Sequence, residues 1–468
     1  MLAMLVELLM RMVQRAADPA RLKRLTTMMR AAPAMSVGSG WIRPYQSRRV
    51  RWTIRHAYQK SPFYRERLDR LGIRPRDVQQ PEDLHRLPLT WPEDLREWDR
   101  FLCVPVDSAV AVFTSAGTTG EPKRVYFSQG DLQSLIHFGA LAARLRWVGP
   151  MTALIVLPMR HGLWIGWNTA LRVVERAGGL PLPVGGEDLE DALRWLQRFE
   201  PQIIIASPTH MMGLTRAAQA AGYRKPVPVI LLGGEPLDAE REGLFADYWQ
   251  AQIYDSYGAT EIGGAQSIRM PGCTAFHLND LHLLTEIVDP ASGLPAQEGV
   301  LAFTTLRREA MPLIRYVVGD RAVRSPCVCG LQTTTIALQG RMDDLIIVAD
   351  QALSGQGILD ALAPLSPQAE MRVECCVDRV QGVDRLRLSI SAEGLSAERV
   401  RRSLLERYTG LRTVLEQGLL TLEIETGADL ADPLKPFRLR DLRPWADGGR
   451  AESPSARDMG GEPCADRG

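Results

Sequence analysis

An α/β protein of more than one domain is predicted by three features of the chain. At 468 residues it exceeds what a single hydrophobic core usually organises. Short β-branched runs bounded by Pro or Gly, namely TALIVLPM from Thr152, PQIIIASP from Pro201 and VPVILLGG from Val227, alternate with longer amphipathic segments. That alternation is the pattern of buried, mainly parallel strands joined by helices. From residue 281 the strand-like runs become shorter and alternating, and beyond residue 340 the pattern is α+β.

Taken in order, residues 1–40 are a Met- and Arg-rich leader whose start, MLAMLVELLMRMV, predicts an amphipathic helix. Glu7 and Arg11 interrupt its apolar run, which is too short for a membrane span, and no basic segment precedes it as a signal peptide requires. Weak docking of this helix to a surface is compatible with the pattern; stable membrane insertion is not. SVGSG closes the leader as a linker. Residues 41–98 read as helices broken by prolines, and from Ala109 the α/β layering begins, with helices over EDLEDALRWLQRFE and MMGLTRAAQAAG. The runs LHLLTEIVD, GVLAFTTL and MPLIRYVVGD, separated by ASG and AQEG turns, predict a β-rich subdomain over 281–323. MRVECCVDRV and DRLRLSISA predict a strand pair, AERVRRSLLERYT a helix and GLLTLEIET a further strand. The predicted organisation is a large domain over 41–340, a hinge at 341–344, a small mobile domain over 345–445 and a tail, 446–468, without core-forming residues.

Composition narrows the function. With 56 basic and 55 acidic residues interleaved along the chain, the formal charge is +1, and there is no basic stripe of the kind that binds nucleic acid. Seven cysteines in a chain of this length do not make a disulfide framework, so a reducing cytoplasm is the expected location.

The stretch VFTSAGTTGEPK, Val112 to Lys123, is the sharpest chemical signal. A strand opens into a loop in which Gly117 and Gly120 permit close backbone approach, Ser115, Thr118 and Thr119 offer hydroxyls, and Lys123 adds positive charge. Such a loop suits a polyphosphate. It is not a Walker A loop, because Glu121 and Pro122 separate the last glycine from the lysine. Taken alone, the same residues also describe an ordinary turn.

Further segments follow in the chain: YDSYGATE at Tyr254–Glu261, RYVVGDRA at Arg315–Ala322, LQGRMDDLII at Leu338–Ile347 and LKPFRLRD at Leu434–Asp441. With the loop, they resemble the adenylate-forming superfamily of acyl-CoA synthetases, adenylation domains and luciferases. HAYQKSPFYRERLDRLGI near Tyr58, PEDLHRLPLTWPEDLRE, CVCG before the GRMDD segment, and K-x-x-R-x-x-D at Lys435, Arg438 and Asp441 are most similar to its phenylacetate-CoA ligase branch. The resemblance runs over roughly residues 50–445.

It implies ATP-dependent adenylation of a carboxylic acid, with an aromatic or otherwise apolar body, followed by transfer of the acyl group to a thiol, that of CoA in the first instance. A carrier-protein thiol, an amine or a hydroxyl is the alternative acceptor, and a noncatalytic nucleotide-binding scaffold the alternative of a different class. By resemblance, Glu261 holds Mg2+, Thr260 lies by the α-phosphate and Tyr257 flanks the adenine, within the segment that also includes Asp255, Ser256 and Gly258. Gly233, Gly234 and Glu235 resemble the adenine-side loop. Asp320 and Arg341 match ribose-contacting residues, Asp343 or Asp344 the pivot of the small domain, and Lys435 the lysine that bridges the carboxylate and the α-phosphate. Pro436 departs from the family's usual residue beside that lysine, and VADQALSGQG departs from the sequence expected after GRMDD.

The acyl pocket implied by resemblance is bounded by His161, Gly162, Trp164 and Trp167, by the stretch Ser207–His210, and by residues near Ser256. Tryptophans at this spacing also serve as core packing. Cys273 and His277, with Cys327 and Cys329 some fifty residues on, have the donor types of a structural Zn2+ site, in which His282 could replace His277. Two unrelated buried pairs would give the same spacing. Cys375 and Cys376 fall in a strand pattern and are expected in the core. A homodimer is compatible with the chain.

Overall fold

The computed structural model describes residues 42–115, 123–147, 151–159, 163–186, 188–327, 329, 331, 333–342, 345–365, 371–392, 395–428, 430 and 437–443. The leader helix, Gly117, Thr118, Thr119, Gly120, His161, Gly162, Asp343, Asp344, Lys435, Pro436 and the tail lie outside the described residues, as does the side chain of Ser115.

The β-branched runs form a parallel sheet in the order Leu180–Pro183, Thr152–Val156, Ile203–Ala206, Val229–Gly233 and Gln252–Ser256. Helices Leu189–Phe199, Pro208–Ala220 and Ala239–Trp249 cover one face through Leu196, Met211, Phe245 and Trp249. The other face packs on Gln129–Arg146 and Ile165–Arg176 through Ala140, Leu141 and Val174. Helix starts are fixed by their caps: Ser207 accepts from the His210 N–H and precedes Pro208, and Asp238 accepts from the Arg241 N–H.

Beside this layer, a six-stranded antiparallel sheet runs in the order Ser267–Ile268, Phe276–Leu278, Thr335–Arg341, Tyr316–Arg324, Glu298–Thr305 and Leu283–Val288. Its apolar face shares a core with helices Ile42–Lys60 and Pro62–Arg70 through Ile54, Leu68, Phe303 and Tyr316. The sequence pattern places Asp320 just after a strand. In the structure Asp320 lies inside one, Tyr316–Arg324, at a register shift between Asp320 and Ala322. A bulge of this kind re-aims side chains without ending the strand.

The C-terminal part has its own core. A hairpin, Leu345–Val348 with Gln351–Ser354, precedes a four-stranded sheet ordered Leu420–Thr426, Val383–Ile390, Val373–Val380 and Phe437–Asp441, which packs against Gly355–Leu362, Ala397–Arg407 and Thr409–Glu416. Cys375 and Cys376 are buried in its strand Val373–Val380. Among the described residues no helix is long and apolar enough to cross a membrane.

Candidate active site

The phosphate-type loop joins two antiparallel strands, Ala111–Ser115 and Lys123–Phe127, paired from Ala111 with Phe127 to Ser115 with Lys123. The pairing therefore sets Lys123 opposite Ser115. Lys123 Nζ lies 3.6 Å from Glu261 Oε1, and the Tyr316 hydroxyl donates to the same oxygen at 3.1 Å. Thr260, next to Glu261, donates from Oγ1 to the Thr114 carbonyl at 3.4 Å, tying the YGATE segment to the loop-bearing hairpin. Glu261 is thus a buried carboxylate with a cation beside it, not a solvated surface glutamate.

Adjoining it, the Tyr257 hydroxyl donates to Asp320 Oδ2 at 2.6 Å and Arg341 donates to Asp320 Oδ1 at 2.7 Å. The pairing of Asp320 with Arg341 across neighbouring strands fixes that contact. Burial and the neighbouring Asp320 carboxylate raise the Tyr257 hydroxyl well above its ordinary value, and burial with Glu261 does the same for Tyr316. Both phenols stay neutral donors through the physiological range.

Two glycines are required by close approach. A Cβ on Gly233 would come within 2.2 Å of Ser256 Oγ, and one on Gly258 within 1.9 Å of the Gly264 carbonyl oxygen. The Gly233 backbone therefore packs tightly against the strand carrying Ser256, whose hydroxyl donates to the Leu232 carbonyl at 2.8 Å. Glu235 is turned inward, accepting from the Thr209 N–H at 2.6 Å and the Thr209 hydroxyl at 2.7 Å. Asp255 is engaged by Arg269 at 3.3 Å, and burial pushes its carboxyl up to about 7 against the pull of that guanidinium. Both carboxylates hold elements together here.

Of the residues expected to bound the acyl pocket, Trp164, Trp167, Ser207–His210 and Ser256 are described. His210 is buried, its Nδ1 2.7 Å from Ser207 Oγ and 3.9 Å from Asp350 Oδ2. Asp350 lies at the turn of the hairpin Leu345–Val348 with Gln351–Ser354, so this wall draws on the C-terminal part of the chain as well.

Cys273, His277, Cys327 and Cys329 come together with their ligand atoms within 4.8 Å of one another. Cys329 Sγ is 3.3 Å from His277 Nε2, while Thr333 Oγ1 engages Nδ1 at 3.0 Å and orients the ring. Three thiols and an oriented imidazole fit a tetrahedral Zn2+ with no open position. His282 stands elsewhere, 3.3 Å from Ser134 Oγ and stacked edge-on to Phe138, so His277 is the member that joins the cluster.

Several residues that sequence reasoning passed over are central. Tyr316 lies four residues before Asp320 on one strand, with a shift of pairing register and Gly319 at φ 90° between them, so alternation does not announce it. Where helix Ala239–Trp249 meets the C-terminal sheet, Asp238 and Arg241 face Arg379, Asp384 and Arg443. Arg379 pairs with Asp238 and, at 2.8 Å, with Asp384; Arg241 reaches Asp384 at 3.3 Å; Arg443 reaches Asp384 and Asp441, each at 2.7 Å. Burial alone would raise the Asp384 carboxyl, but these three guanidiniums hold it below its ordinary value. The local signal was Arg379 and Asp384 facing each other across the Gln381–Gly382 turn.

The chain is similar to curated proteins over about two thirds of its length. It is 31% identical over 330 residues to the phenylacetate-coenzyme A ligase of Thermus thermophilus, covering 66% of this chain and 72% of the relative. It is 29% identical over 323 residues to that of Escherichia coli, covering 65% and 72%. Among solved structures, 2-hydroxyisobutyryl-CoA ligase in its thioesterification state matches with TM-score 0.74 and 21% identity, over 87% of this chain and 91% of the other. The same enzyme in its postadenylation state matches with TM-score 0.60 and 20% identity, over 85% and 89%. The AMP-binding enzyme family matches residues 46–299, more than half the chain. The chain therefore belongs to the AMP-binding enzyme family, in its phenylacetate-CoA ligase-like branch, as an AMP-forming ligase of an acid and CoA.

Proposed function

We propose that the ribose and phosphates of ATP lie along the Asp320–Arg341–Tyr257 and Glu261–Lys123 groups, where a carboxylate oxygen of the acid attacks the α-phosphorus. The α–β anhydride bond breaks, pyrophosphate leaves, and an acyl adenylate remains. The CoA sulfur then attacks the acyl carbonyl, the acyl–phosphate bond breaks, AMP leaves and the thiol proton is lost. The observation that carries this reading is the convergence of Asp320, Arg341, Tyr257, Glu261 and Lys123 from separate parts of a chain of this family.

Each side chain has a task its chemistry suits. Asp320, fixed by Tyr257 and Arg341, has acceptor capacity left for ribose hydroxyls, since a carboxylate offers about four lone-pair sites. Glu261 is the hard oxygen donor for Mg2+, whose chemistry when bound is neutralisation of phosphate charge. Tyr257 and the Gly233–Gly234 backbone flank the adenine, Thr260 the α-phosphate, and the Ser115–Lys123 loop the leaving pyrophosphate. Lys435 bridges acid and α-phosphate and offsets the repulsion of two approaching anions.

The acid has an apolar body, by likeness to the relatives named for phenylacetate and by the indole of Trp164. CoA is the thiol. A carrier-protein thiol, an amine or a hydroxyl would remove CoA dependence. The four-ligand Cys/His cluster holds structural Zn2+, and the protein works in the cytoplasm, where ATP and CoA are supplied. The greater similarity to the thioesterification state supports reading the observed domain arrangement as the one for thiol attack. Adenylation then requires the C-terminal domain to swing about Asp343 or Asp344.

The test is a pair of half-reaction assays on Lys435→Ala. Adenylate formation should fall by orders of magnitude while thiolysis of supplied acyl-AMP is spared; equal loss in both removes the role given to Lys435.

A further inference from the structure

The hairpin of strands Val373–Val380 and Val383–Ile390 turns through two residues, Gln381 and Gly382, both with left-handed backbones, at φ 50° and 77°. The carbonyls of such a turn lie outside the strand ladder and need partners of their own once they are covered. Here each meets a guanidinium. Arg216 donates to the Gln381 carbonyl at 2.6 Å and Arg241 to the Gly382 carbonyl at 3.0 Å. Arg216 comes from helix Pro208–Ala220 and Arg241 from helix Ala239–Trp249, both within residues 46–299, whereas the turn belongs to the C-terminal part of the chain.

The two helices are shaped to receive that turn. A Cβ on Gly382 would stand 2.5 Å from Met212 Cε, so the Met212 side chain, one helical turn before Arg216, packs on the turn itself. A Cβ on Gly213 would stand 2.7 Å from a Leu419 methyl carbon, so glycine there lets this residue of the C-terminal core settle on the same helix. Arg241 is 1% exposed, and burial holds its guanidinium below its ordinary value. Among the described residues its side-chain hydrogen bonds both end on the hairpin, at the Gly382 carbonyl and, at 3.3 Å, at Asp384. A buried cation bonded in this way is stabilised by the segment that covers it.

Both helices begin at the site. Pro208–Ala220 opens on the Ser207–His210 wall, and Ala239–Trp249 follows the Gly233–Glu235 segment. On the hairpin side, Asp384 accepts from the Ala349 N–H at 3.2 Å, and the adjoining Asp350 Oδ2 lies 3.9 Å from His210 Nδ1. Contacts therefore run without a break from the two arginines, through the seated hairpin, back to the wall of the site.

We propose that Arg216 and Arg241 are positioning residues for the thiol-transfer half-reaction, seating the Gln381–Gly382 turn and so holding the C-terminal part in the arrangement in which CoA attacks. The proposal rests on the functional reading above. Because the C-terminal part swings away for adenylation, these contacts exist in one arrangement and are broken in the other. A residue that stabilises one of two arrangements shifts their populations, so its loss slows the step that uses the favoured one and spares or speeds the other. A residue needed only for folding slows both.

The test compares wild type with Arg241→Gln, Arg241→Lys and Arg216→Ala, using phenylacetate, or the first of benzoate, isobutyrate and phenylalanine that supports exchange. ATP–pyrophosphate exchange reports adenylation, and single-turnover consumption of enzyme-bound acyl-AMP by CoA reports transfer. Arg241→Gln should slow transfer by about tenfold or more, the scale of a hydrogen bond from a charged group, while exchange stays within about twofold of wild type or rises. Arg216→Ala, at a half-buried position, should slow transfer by about threefold with exchange again spared, and Arg241→Lys should recover part of what Arg241→Gln loses. Should Arg241→Gln fail to fold, Arg216→Ala decides alone. Equal slowing of both steps, transfer unchanged in Arg241→Gln and Arg216→Ala, or exchange that falls while transfer is spared would each overturn the proposal alone. A wild type that exchanges but passes no acyl group to CoA would overturn the thiol assignment with it, and no exchange with any acid would overturn the functional reading as a whole.

Discussion

Two clusters of buried charge in this molecule are built from the same residue types and behave differently. Around Asp320, the side chains of Arg341, Lys123 and Asp320 itself keep 23%, 18% and 14% of their surface. At the domain junction, Asp384 and Arg241 keep 0% and 1%. The first cluster draws its members from one domain and stays partly wet at its mouth, so it can exchange water for phosphate and ribose oxygens. The second, with Asp238, Asp384 and Asp441 facing Arg241, Arg379 and Arg443, balances its own charge around a buried centre, and only Asp441, 18% exposed, reaches its edge. Charge in the first is there to meet a ligand; charge in the second fixes where a domain sits.

If that contrast holds, changes in the first cluster cost rate and changes in the second cost stability and domain placement. The largest effect is expected from Lys435→Ala, for which adenylate formation by pyrophosphate exchange should be almost abolished, with an unchanged melting temperature. Glu261→Gln should lower exchange by about 10²–10³-fold, as expected for removing one electrostatic partner of the transferring group, and raise the Mg2+ needed for half-maximal rate. Its unfolding midpoint should move little. Asp384→Ala, in contrast, removes the carboxylate that three guanidiniums share and releases the Ala349 N–H, and should destabilise the chain by about 3–5 kcal/mol in denaturant titration. Small-angle scattering should register a change in domain arrangement. An Asp384→Ala enzyme that loses exchange but keeps its stability and shape would erase the distinction between the clusters.

Smaller effects sharpen it. Cys327→Ser should lower bound zinc, read by elemental analysis, and reduce stability without changing the ratio of the two half-reactions, because that cluster lies outside both groups of charge; unchanged metal content would remove the site. The pH dependence should be mild. Burial lowers His137 from 6.5 to about 4 and holds His282 well below its ordinary value, with nearby arginines adding to both. Below about pH 6.5 the unfolded imidazoles take up protons that the native ones refuse, so stability should fall on acidification, the His137 part flattening near pH 4. His137→Gln should flatten the upper part of that slope; a slope unchanged by the substitution would assign it elsewhere.

Much of the site was legible in the sequence because it is made of local runs. Strand Val229–Gly233 and the YGATE segment announce themselves by β-branched residues followed by glycines, and the structure explains two of those glycines by backbone contacts no Cβ could survive. Asp320 was found, but its place within a strand was not, because a bulge leaves no mark in period-two alternation. Glu235 and Asp255 sit in recognisable segments, yet their side chains turn to Thr209 and Arg269. A motif fixes which residue is present before it fixes where the side chain points. The domain-junction cluster was hardest to see. Asp238 and Arg379, which pair across it, are 141 residues apart, and a local signal comes from close pairs such as Arg379 and Asp384, opposed across one turn.

The central claim is that the Asp320–Arg341–Tyr257 and Glu261–Lys123 groups serve acyl adenylation with transfer to CoA. The most direct measurement is ATP–pyrophosphate exchange across aryl, arylacetic, short aliphatic and amino acids, followed by CoA-dependent turnover of the acids that exchange. The account predicts acid-dependent exchange confined to one group of acids, abolished by Asp320→Ala, with product formation saturable in CoA. Exchange that persists in Asp320→Ala, or silence across the panel while ATP still binds, would contradict it.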